Sequence, residues 1–365
     1  MSCVRKRNSI APMRSRLLIL VLVLSAAHTQ AVDFPVVRAG VALHFPRDHG
    51  AHPDFRSEWW YVTAWVKDEA GEEFGIQLTF FRSRTGLQEN NPALLAPRQL
   101  LLAHVAIANA RQGRLLREQR VARLLPDVVF AKEADTDLRI RDWRLAREGK
   151  RYVSSGHARE FSWRLTLAPT QPLLLHGSAG YSRKGARPAQ ASYYYSQPQL
   201  RISGQVQVLG KMREVSGVAW LDHEWSSEFL AEDVVGWDWA GINFDDGRAL
   251  MAFRMRDATG NALWSGGSLR DADGRTARLA GGEVQWKPVR TWRSPRSAII
   301  FPVAMSLRVR GLQFELLPLM DDQELDARAS TGNIYWEGAV RAEQNERIIG
   351  RGYLELTGYG APLRF

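Results

Sequence analysis

Cysteine is almost absent from this 365-residue chain, whose one cysteine, Cys3, lies near the N-terminus. Cys3 comes before an apolar run at residues 17–24, so it is not placed as the lipidated cysteine that ends a lipoprotein signal. Without this N-terminal segment the chain has no thiol. Disulfides, thiol catalysis and thiolate metal sites are then excluded, and stability must come from packing.

Two further features are missing, and each argues against a class of site. The Gly-x-Ser-x-Gly sequence of α/β hydrolases is absent, and Ser226 and Ser227 follow a predicted strand without the strand-turn-helix context of a catalytic serine. Clusters of basic residues are missing as well, because the arginines are scattered among acids. The formal charge of +10 includes five basic residues within the first 16 positions, which leaves +5 for the rest. We therefore expect no serine nucleophile and no nucleic-acid partner.

The N-terminus has the pattern of a secretory signal. Arg5, Lys6, Arg7, Arg14 and Arg16 precede the apolar run at 17–24, and small residues lead to a predicted cleavage site after Ala31. The apolar run is shorter than the roughly 20 residues that span a bilayer, although an uncleaved anchor is the alternative. Residues 1–31 are thus predicted to be a signal peptide, and the protein is expected to be periplasmic or secreted.

Short apolar or alternating runs, separated by turn residues, predict a mainly β chain with antiparallel strands. Residues 58–67 and 74–82 are predicted to form a hairpin around Gly71, and Asp246-Gly247 and Asp273-Gly274 supply further turns. Only residues 94–102 are expected to be partly helical. Further strands are predicted at residues 100–109, 161–167, 200–209, 215–221, 237–244 and 249–255, and in a C-terminal set through Leu307, Phe314, Tyr335 and Tyr353.

The length favours two domains, with boundaries predicted at 32–212 and 213–365. Two pairs of segments resemble each other in order: residues 60–82, from Trp60 to Arg82, with residues 239–254, from Trp239 to Arg254, and residues 161–165 with 312–316. A duplicated β-barrel unit would explain both pairs, and chance similarity between amphipathic strands is the alternative.

Several long phrases carry a resemblance to a known family: HPDFRSEWWY at 52–61, GIQLTFFR at 75–82, AWLDHEWSS at 219–227, GWDWAG at 236–241 and GRGYLELTG at 350–358. In these phrases the chain resembles the AttH/CrtC family. The resemblance implies two lipocalin-like antiparallel β-barrel domains in tandem, and members are often labelled carotenoid 1,2-hydratases or secreted hydrolases. His223 and Trp225 match a pair in the hydratase branch, whose catalytic acid has no matching position here. The wording Asp-His-Glu-Trp-Ser looks more like the AttH branch, which is linked with ABC export systems.

Hydration of an isolated carbon–carbon double bond requires a proton donor, a placed water and a cavity that tolerates a carbocation, which aromatic faces stabilise. The candidate catalytic residues are Asp222, His223 and Glu224. On a strand, Asp222 and Glu224 share one face and His223 the other, so they reach one cavity only through a bulge; otherwise they close a barrel or lock a domain interface. The candidate ligand-binding residues are Trp60, Trp225, Trp237, Trp239 and Tyr194. Trp59 and Trp60 point to opposite faces of their strand, so one of the two is expected in a core and the other at a cavity or interface.

No cofactor and no metal is expected. The loop from His44 to Asp54 offers imidazole and carboxylate groups at His44, Asp48, His49, His52 and Asp54, but Pro46 and Pro53 and the lack of helical spacing favour a solvated loop over a metal site.

The sequence leaves three functions open. The first is a protein that encloses a long lipophilic molecule, an isoprenoid or acyl chain, and adds water to it. The second is a non-catalytic lipid carrier or accessory protein that has ABC transporter components as partners and contacts a membrane surface. The third is a purely structural domain pair, which predicts no cavity above roughly 300 Å³.

Overall fold

The structure is a computed structural model, and it describes Met1 and residues 33–93, 96–228 and 230–363. Beyond Met1, the predicted signal peptide lies outside the described residues. In the part that is described, the helical content is one 3₁₀ turn, Arg47–His49, and almost everything else ordered is β-strand. These residues include no helix that is long and apolar enough to cross a membrane.

The first half of the chain forms one antiparallel sheet of 13 strands. Along its main path the order is β4-β3-β2-β1-β13-β12-β9-β8-β7-β6-β5, and β10 and β11 pair with β12. The sheet curls so that β4 comes close to β6. The strands are β1 (Ser57–Asp68), β2 (Glu73–Arg84), β3 (Gln99–Ala108), β4 (Leu116–Arg123), β5 (Val129–Ala131), β6 (Asp137–Ile140), β7 (Trp143–Glu148), β8 (Arg151–His157), β9 (Phe161–Pro169), β10 (Leu174–Leu175), β11 (Tyr181–Arg183), β12 (Ala191–Val208) and β13 (Lys211–Ser226).

The second half forms an antiparallel sheet of ten strands. Its order is β17-β16-β15-β14-β23-β22-β20-β19-β18, with β21 paired to β22, and β16 comes close to β18. The predicted class, two lipocalin-like antiparallel β-barrel domains in tandem, is confirmed. The strands are β14 (Gly236–Phe244), β15 (Ala249–Arg256), β16 (Ala262–Arg270), β17 (Thr276–Leu279), β18 (Val284–Arg293), β19 (Ile300–Val309), β20 (Leu312–Pro318), β21 (Glu324–Ala327), β22 (Asn333–Gln344) and β23 (Arg347–Leu356).

The passage from one sheet to the other lies between the end of β13 at Ser226 and the start of β14 at Gly236. The predicted domain boundary after residue 212 falls at the start of β13, which is a strand of the first sheet. Hydrogen-bonded pairing of β13 with both β1 and β12 assigns it there.

The expectation of helix at residues 94–102 is wrong for its described part. Residues 99–102 belong to β3, where Leu101 is buried in the first core and pairs with neighbours on β2 and β4. Sheet pairing on both sides overrides the local helical preference. At the two predicted Asp-Gly turns, Gly247 and Gly274 do adopt positive φ, of 89° and 85°.

Each sheet encloses its own apolar core, and a third core joins the two sheets. On β1, Trp60 and Val62 point into the first core, whereas Tyr61 and Trp65 point to the second sheet. Close approach is needed here, because a Cβ atom added at Gly75 would lie 2.6 Å from the Ala339 Cβ and 2.7 Å from the Tyr353 hydroxyl. Tryptophan thus fills the interface as well as the barrels.

The two sheets have the same strand order around their centres, which supports the duplication. The order β2-β1-β13-β12-β9 of the first sheet corresponds to β15-β14-β23-β22-β20 of the second. Glu58 lies opposite Arg82 in the first sheet, and Asp238 lies opposite Arg254 at the corresponding place in the second. Both are ion pairs. This register matches Trp59, rather than Trp60, with Trp239, and so corrects the equivalence predicted from the sequence.

Candidate functional site

A cavity of about 270 Å³ lies between the two sheets. Its volume is just below the roughly 300 Å³ at which ligand sites begin, so its interpretation depends on the lining more than on the size. The wall is mainly apolar and aromatic, and five carboxyl groups are set into it. The main wall residues are Trp59, Phe81, Trp237, Trp239, Phe253 and Met255, and the acids are Glu58, Asp222, Glu224, Glu337 and Glu355.

The duplicated sheets contribute corresponding rows of residues to this cavity. In each sheet, four residues stand side by side across four adjacent strands and all four line the cavity. The row of the first sheet is Phe81, Trp59, Glu224 and Tyr194, and the row of the second is Phe253, Trp239, Glu355 and Glu337. The cavity is therefore built by the same face of both units, which sequence periodicity alone does not reveal.

Asp222, on β13, is buried with 2% exposure and accepts three side-chain hydrogen bonds. The Tyr194 hydroxyl donates to Oδ2 at 2.6 Å, the Trp220 indole donates to Oδ1 at 2.5 Å, and Ser196 also donates to Oδ1. Burial raises the pKa of Asp222 to about 7, although these three donors act against the rise. A carboxyl group with this pKa exchanges its proton near neutral pH, as a general acid requires.

A hydrogen-bonded chain connects Asp222 to the second sheet. His176 Nε2 lies 2.6 Å from Ser196 Oγ, and His176 Nδ1 lies 3.0 Å from Ser268 Oγ. Because Ser196 donates to Asp222, we assign the proton of the neutral imidazole to Nε2, which then donates to Ser196. Burial holds the pKa of His176 well below its ordinary value, consistent with a neutral ring. This chain fixes the orientation of Asp222.

Glu224, two residues further along the same face, is paired with a buried cation. Lys184 Nζ lies 3.0 Å from Glu224 Oε1, and Ser192 donates to the same oxygen. The ammonium also lies 4.6 Å from the ring centre of Tyr194 and 4.2 Å from that of Phe253. The contacts with Lys184 and Ser192 fix the position of the Glu224 carboxylate at the cavity wall.

Two of the acids come from the second sheet. Trp237 Nε1 donates to Glu355 Oε2 at 3.1 Å, and burial, with neighbouring carboxylates, raises the pKa of Glu355 to about 7. Gln77 Nε2 donates to Glu337 Oε2 from across the interface. Burial, together with Glu355, raises the pKa of Glu337 well above its ordinary value. The cavity thus has several carboxyl groups that hold or exchange protons near neutral pH.

A second polar cluster, which borders the cavity at Glu58 and Arg82, closes one end of the first barrel. Glu58 Oε1 lies 2.7 Å from His52 Nδ1 and 2.9 Å from His223 Nε2, while Arg82 Nε donates to Glu58 Oε2 at 2.8 Å. His52 stacks on Trp225 with 3.7 Å between ring centres. Burial opposes ionisation of Glu58, but Arg82 and the two imidazoles keep its pKa well below the ordinary value.

His52, Glu58 and His223 each place one ligand atom within 4.8 Å of the others, and this set could hold a divalent cation. Two observations favour a hydrogen-bonded network instead. His52 Nδ1 and His223 Nε2 are already hydrogen-bonded to Glu58 Oε1. The Arg82 guanidinium contacts the other oxygen of the same carboxylate. A metal ion would have to displace these contacts and lie beside a fixed positive charge.

The sequence-predicted residues divide between these two clusters. Strand alternation turns Asp222 and Glu224 to the cavity and His223 and Trp225 to the first barrel, as the sequence indicates for a regular strand. Trp237, Trp239 and Tyr194 also line the cavity.

The predicted ligand-binding residues Trp60 and Trp225 and the predicted catalytic residue His223 do not line this cavity. Trp60 and His223 are fully buried and stack on each other at 4.5 Å, and Trp225 is covered by His52. Trp59, on the opposite face from Trp60, lines the cavity in its place.

The expectation of a solvated histidine loop at residues 44–54 is also wrong in part. Asp48, His49 and His52 are buried and hydrogen-bonded, because this loop packs over the end of the first barrel. His49 Nδ1 lies 2.8 Å from the Tyr195 hydroxyl, and burial lowers its pKa to about 3. The loop therefore covers the end of the first barrel.

The cavity residues that were not singled out from the sequence include Tyr61, Lys184, Glu337 and Glu355. Glu337 and Glu355 stand as lone acids within apolar strands, in Ile-Tyr-Trp-Glu-Gly-Ala-Val and Gly-Tyr-Leu-Glu-Leu. A single acid at an otherwise apolar position is a usable signal for a functional group. Lys184 lies in a Gly- and Pro-containing loop and gives no such signal.

Comparison with known proteins places the chain in a family. The AttH-like family model matches residues 36–359. An AttH-type protein from Nitrosomonas europaea, of known crystal structure, is 46% identical, with a TM-score of 0.83 over 89% of this chain and 99% of that chain. The chain is thus a double lipocalin-like β protein with a cavity between its sheets. It belongs to the AttH-like family.

More distant solved structures share the fold. Kievitone hydratase from Nectria haematococca is 15% identical, with a TM-score of 0.68 over 91% of this chain and 97% of that chain. CghA in complex with Sch210972 is 12% identical, with a TM-score of 0.53 over 90% of this chain and 96% of that chain. The search of curated proteins gave no match.

Proposed function

We propose that the protein binds a lipophilic molecule, an isoprenoid or acyl chain, in the cavity between its sheets and adds water to one of its double bonds. The observation that carries this proposal is the combination of an aromatic wall with buried carboxyl groups that keep a proton near neutral pH. The similarity to a hydratase is one of fold, and it adds no evidence about this site.

In the proposed reaction Asp222 is the acid. Its O–H bond breaks as a C–H bond forms at one alkene carbon, and the other carbon becomes cationic. Trp239 and Phe253 face that charge, and each aromatic ring stabilises a cation by about 0.5–2 kcal/mol. Water then forms the C–O bond, and the proton it loses returns to Asp222, either directly or by way of Glu224, so the net change is the addition of one water. His223 faces the first barrel, so we do not retain it as a catalytic residue.

The test uses farnesol, an acyclic isoprenoid with isolated double bonds, in isotopically labelled water. Wild-type protein is expected to give a diol that carries one labelled oxygen, detected by mass spectrometry. Asp222→Asn should abolish this product while near-ultraviolet circular dichroism stays unchanged. Asp246→Asn, at an exposed turn carboxylate, is the matched control. Full product formation by the Asp222→Asn variant would contradict the assignment of the acid.

The alternative is a non-catalytic carrier that works with an ABC export system. One observation favours contact with a lipid surface: Leu209 and Met212 are exposed at the tip of the β12–β13 hairpin beside Lys211, a combination that suits shallow insertion. A carrier would release bound lipid on extraction and form no labelled product. We also propose a periplasmic location, which the mass of the mature N-terminus from periplasmic extracts would test.

A further inference from the structure

One end of the cavity presents polar atoms that the protein itself leaves unsatisfied. The Tyr61 hydroxyl and Glu337 Oε1 are buried, and neither makes a hydrogen bond of acceptable geometry within the described residues. The two groups are close enough to act on each other's pKa as hydrogen-bond partners do, Tyr61 lowering that of Glu337 and Glu337 raising that of Tyr61, but their geometry falls short of a formed hydrogen bond. Because an unpaired buried polar atom costs free energy, such atoms call for a partner supplied from outside the protein.

The corresponding position in the first sheet is fully satisfied, which makes this contrast specific. Tyr194 occupies the place in its row that Glu337 occupies in the other. The Tyr194 hydroxyl donates to Asp222 at 2.6 Å and accepts from Trp239 Nε1 at 3.0 Å. Glu337 has only its Oε2 engaged, by Gln77. The corresponding positions of the two sheets therefore differ: the side chain is fully hydrogen-bonded in the first sheet, and in the second it has an oxygen without a hydrogen bond, which we call the open position.

The charges around the open position restrict what can bind. Four other carboxyl groups line the same cavity, and its two lining cations are already paired, Lys184 with Glu224 and Arg82 with Glu58. An anionic head group is therefore disfavoured. A phenol and a carboxyl group together offer hydrogen-bond donors and acceptors. A hydroxyl group both donates and accepts a hydrogen bond, so it can pair with both of them.

We infer that Tyr61 and Glu337 form a subsite for the hydroxyl group of an otherwise apolar alcohol. The inference rests on the proposed function, in which this cavity is the ligand site. Tyr61 lies directly opposite Asp222 on the adjacent strand, so the subsite adjoins the proposed acid. An alcohol is also the class of product that hydration of an alkene forms, so the same subsite would hold the new hydroxyl group.

The test compares two saturated probes, 1-decanol and decyl methyl ether, which differ in the ability to donate a hydrogen bond. Binding is followed by quenching of tryptophan fluorescence. Wild-type protein is expected to bind the alcohol about tenfold more tightly, because the ether leaves an acceptor unpaired. Tyr61→Phe and Glu337→Met should each bring the ratio close to one, and Glu337→Gln, which keeps a donor and an acceptor, should preserve much of it.

Tyr193→Phe is the matched control, since it removes a hydroxyl group from the opposite face of β12. Equal affinity of wild-type protein for the two probes would overturn the subsite and leave the proposed function standing. A preference for the alcohol that survives in both Tyr61→Phe and Glu337→Met would overturn it as well. Failure of both probes to bind would instead refute the cavity as a ligand site, and the subsite with it.

Discussion

The two ion pairs at corresponding positions of the duplicated sheets should differ sharply in their contribution to stability. Arg82 is the guanidinium partner of Glu58, and both side chains are buried with 1% exposure or less. Arg82 also donates to the carbonyl oxygens of His52 at 2.7 Å and Phe55 at 2.8 Å. Arg82→Met would remove the guanidinium from a buried carboxylate and leave it only the imidazoles of His52 and His223, a change that costs about 3–5 kcal/mol of unfolding free energy.

Arg254→Met in the second sheet is the matched comparison. Arg254 Nε donates to Asp238 Oδ2 at 2.6 Å, but Asp238 Oδ1 keeps Arg256 Nε at 2.9 Å and the Tyr359 hydroxyl at 3.0 Å. Because Asp238 keeps Arg256 as a cationic partner, Arg254→Met should lower the free energy of unfolding only by the contribution of one charged hydrogen bond, about 1.5–2 kcal/mol.

Urea unfolding followed by tryptophan fluorescence gives the free energies, and the double variant Glu58→Gln/Arg82→Met closes the cycle. We expect the double variant to be more stable than Arg82→Met alone, because the buried carboxylate that lost its guanidinium partner is gone. Equal losses for Arg82→Met and Arg254→Met, or no recovery in the double variant, would refute the reasoning.

Two further predictions concern the cavity and the sheet interface. The raised pKa of Asp222 means that between about pH 4 and pH 7 the folded protein binds more protons than the unfolded chain, so stability falls as pH rises through this window. Asp222→Asn should remove that part of the slope, at most on the order of 4 kcal/mol, in urea titrations at both ends of the window; parallel pH profiles would contradict it. Gly75→Ala should cost about 1–3 kcal/mol, because its methyl group meets Ala339 and Tyr353 across the interface. Gly281→Ala, whose Cβ has no neighbour closer than 3.6 Å, is the control, and equal stability of the two variants would show that the sheets separate freely here.

The sequence predicted the architecture well because strand alternation and turn residues are local properties. Residues 58–67 and 74–82 form the β1–β2 hairpin, and the opposite orientation of Asp222 and His223 follows directly from the period of a strand. The resemblance carried by the tryptophan-rich phrases indicated the family.

The cavity itself could not be predicted, because it depends on which outer faces of two sheets pack together. Gln77 and Glu337 meet across 260 residues of sequence, and no local pattern specifies that contact. The same reason explains the choice between Trp59 and Trp60. Both are aromatic and adjacent, and only the packing of the second sheet determines which of the two borders a void.

The duplication separates what the fold requires from what the site adds. The Glu58–Arg82 pair recurs as Asp238–Arg254, so an acid–arginine pair at this position belongs to the construction of each barrel rather than to chemistry in one of them. The two rows of residues that face the cavity also correspond. They differ at the last position, which is Tyr194 in the first sheet and Glu337 in the second. That difference leaves one unit with a phenol that orients Asp222 and the other with an incompletely bonded acid. In the proposed function the proton donor, Asp222, comes from the first sheet and one binding group, Glu337, comes from the second, so the proposed site needs both units.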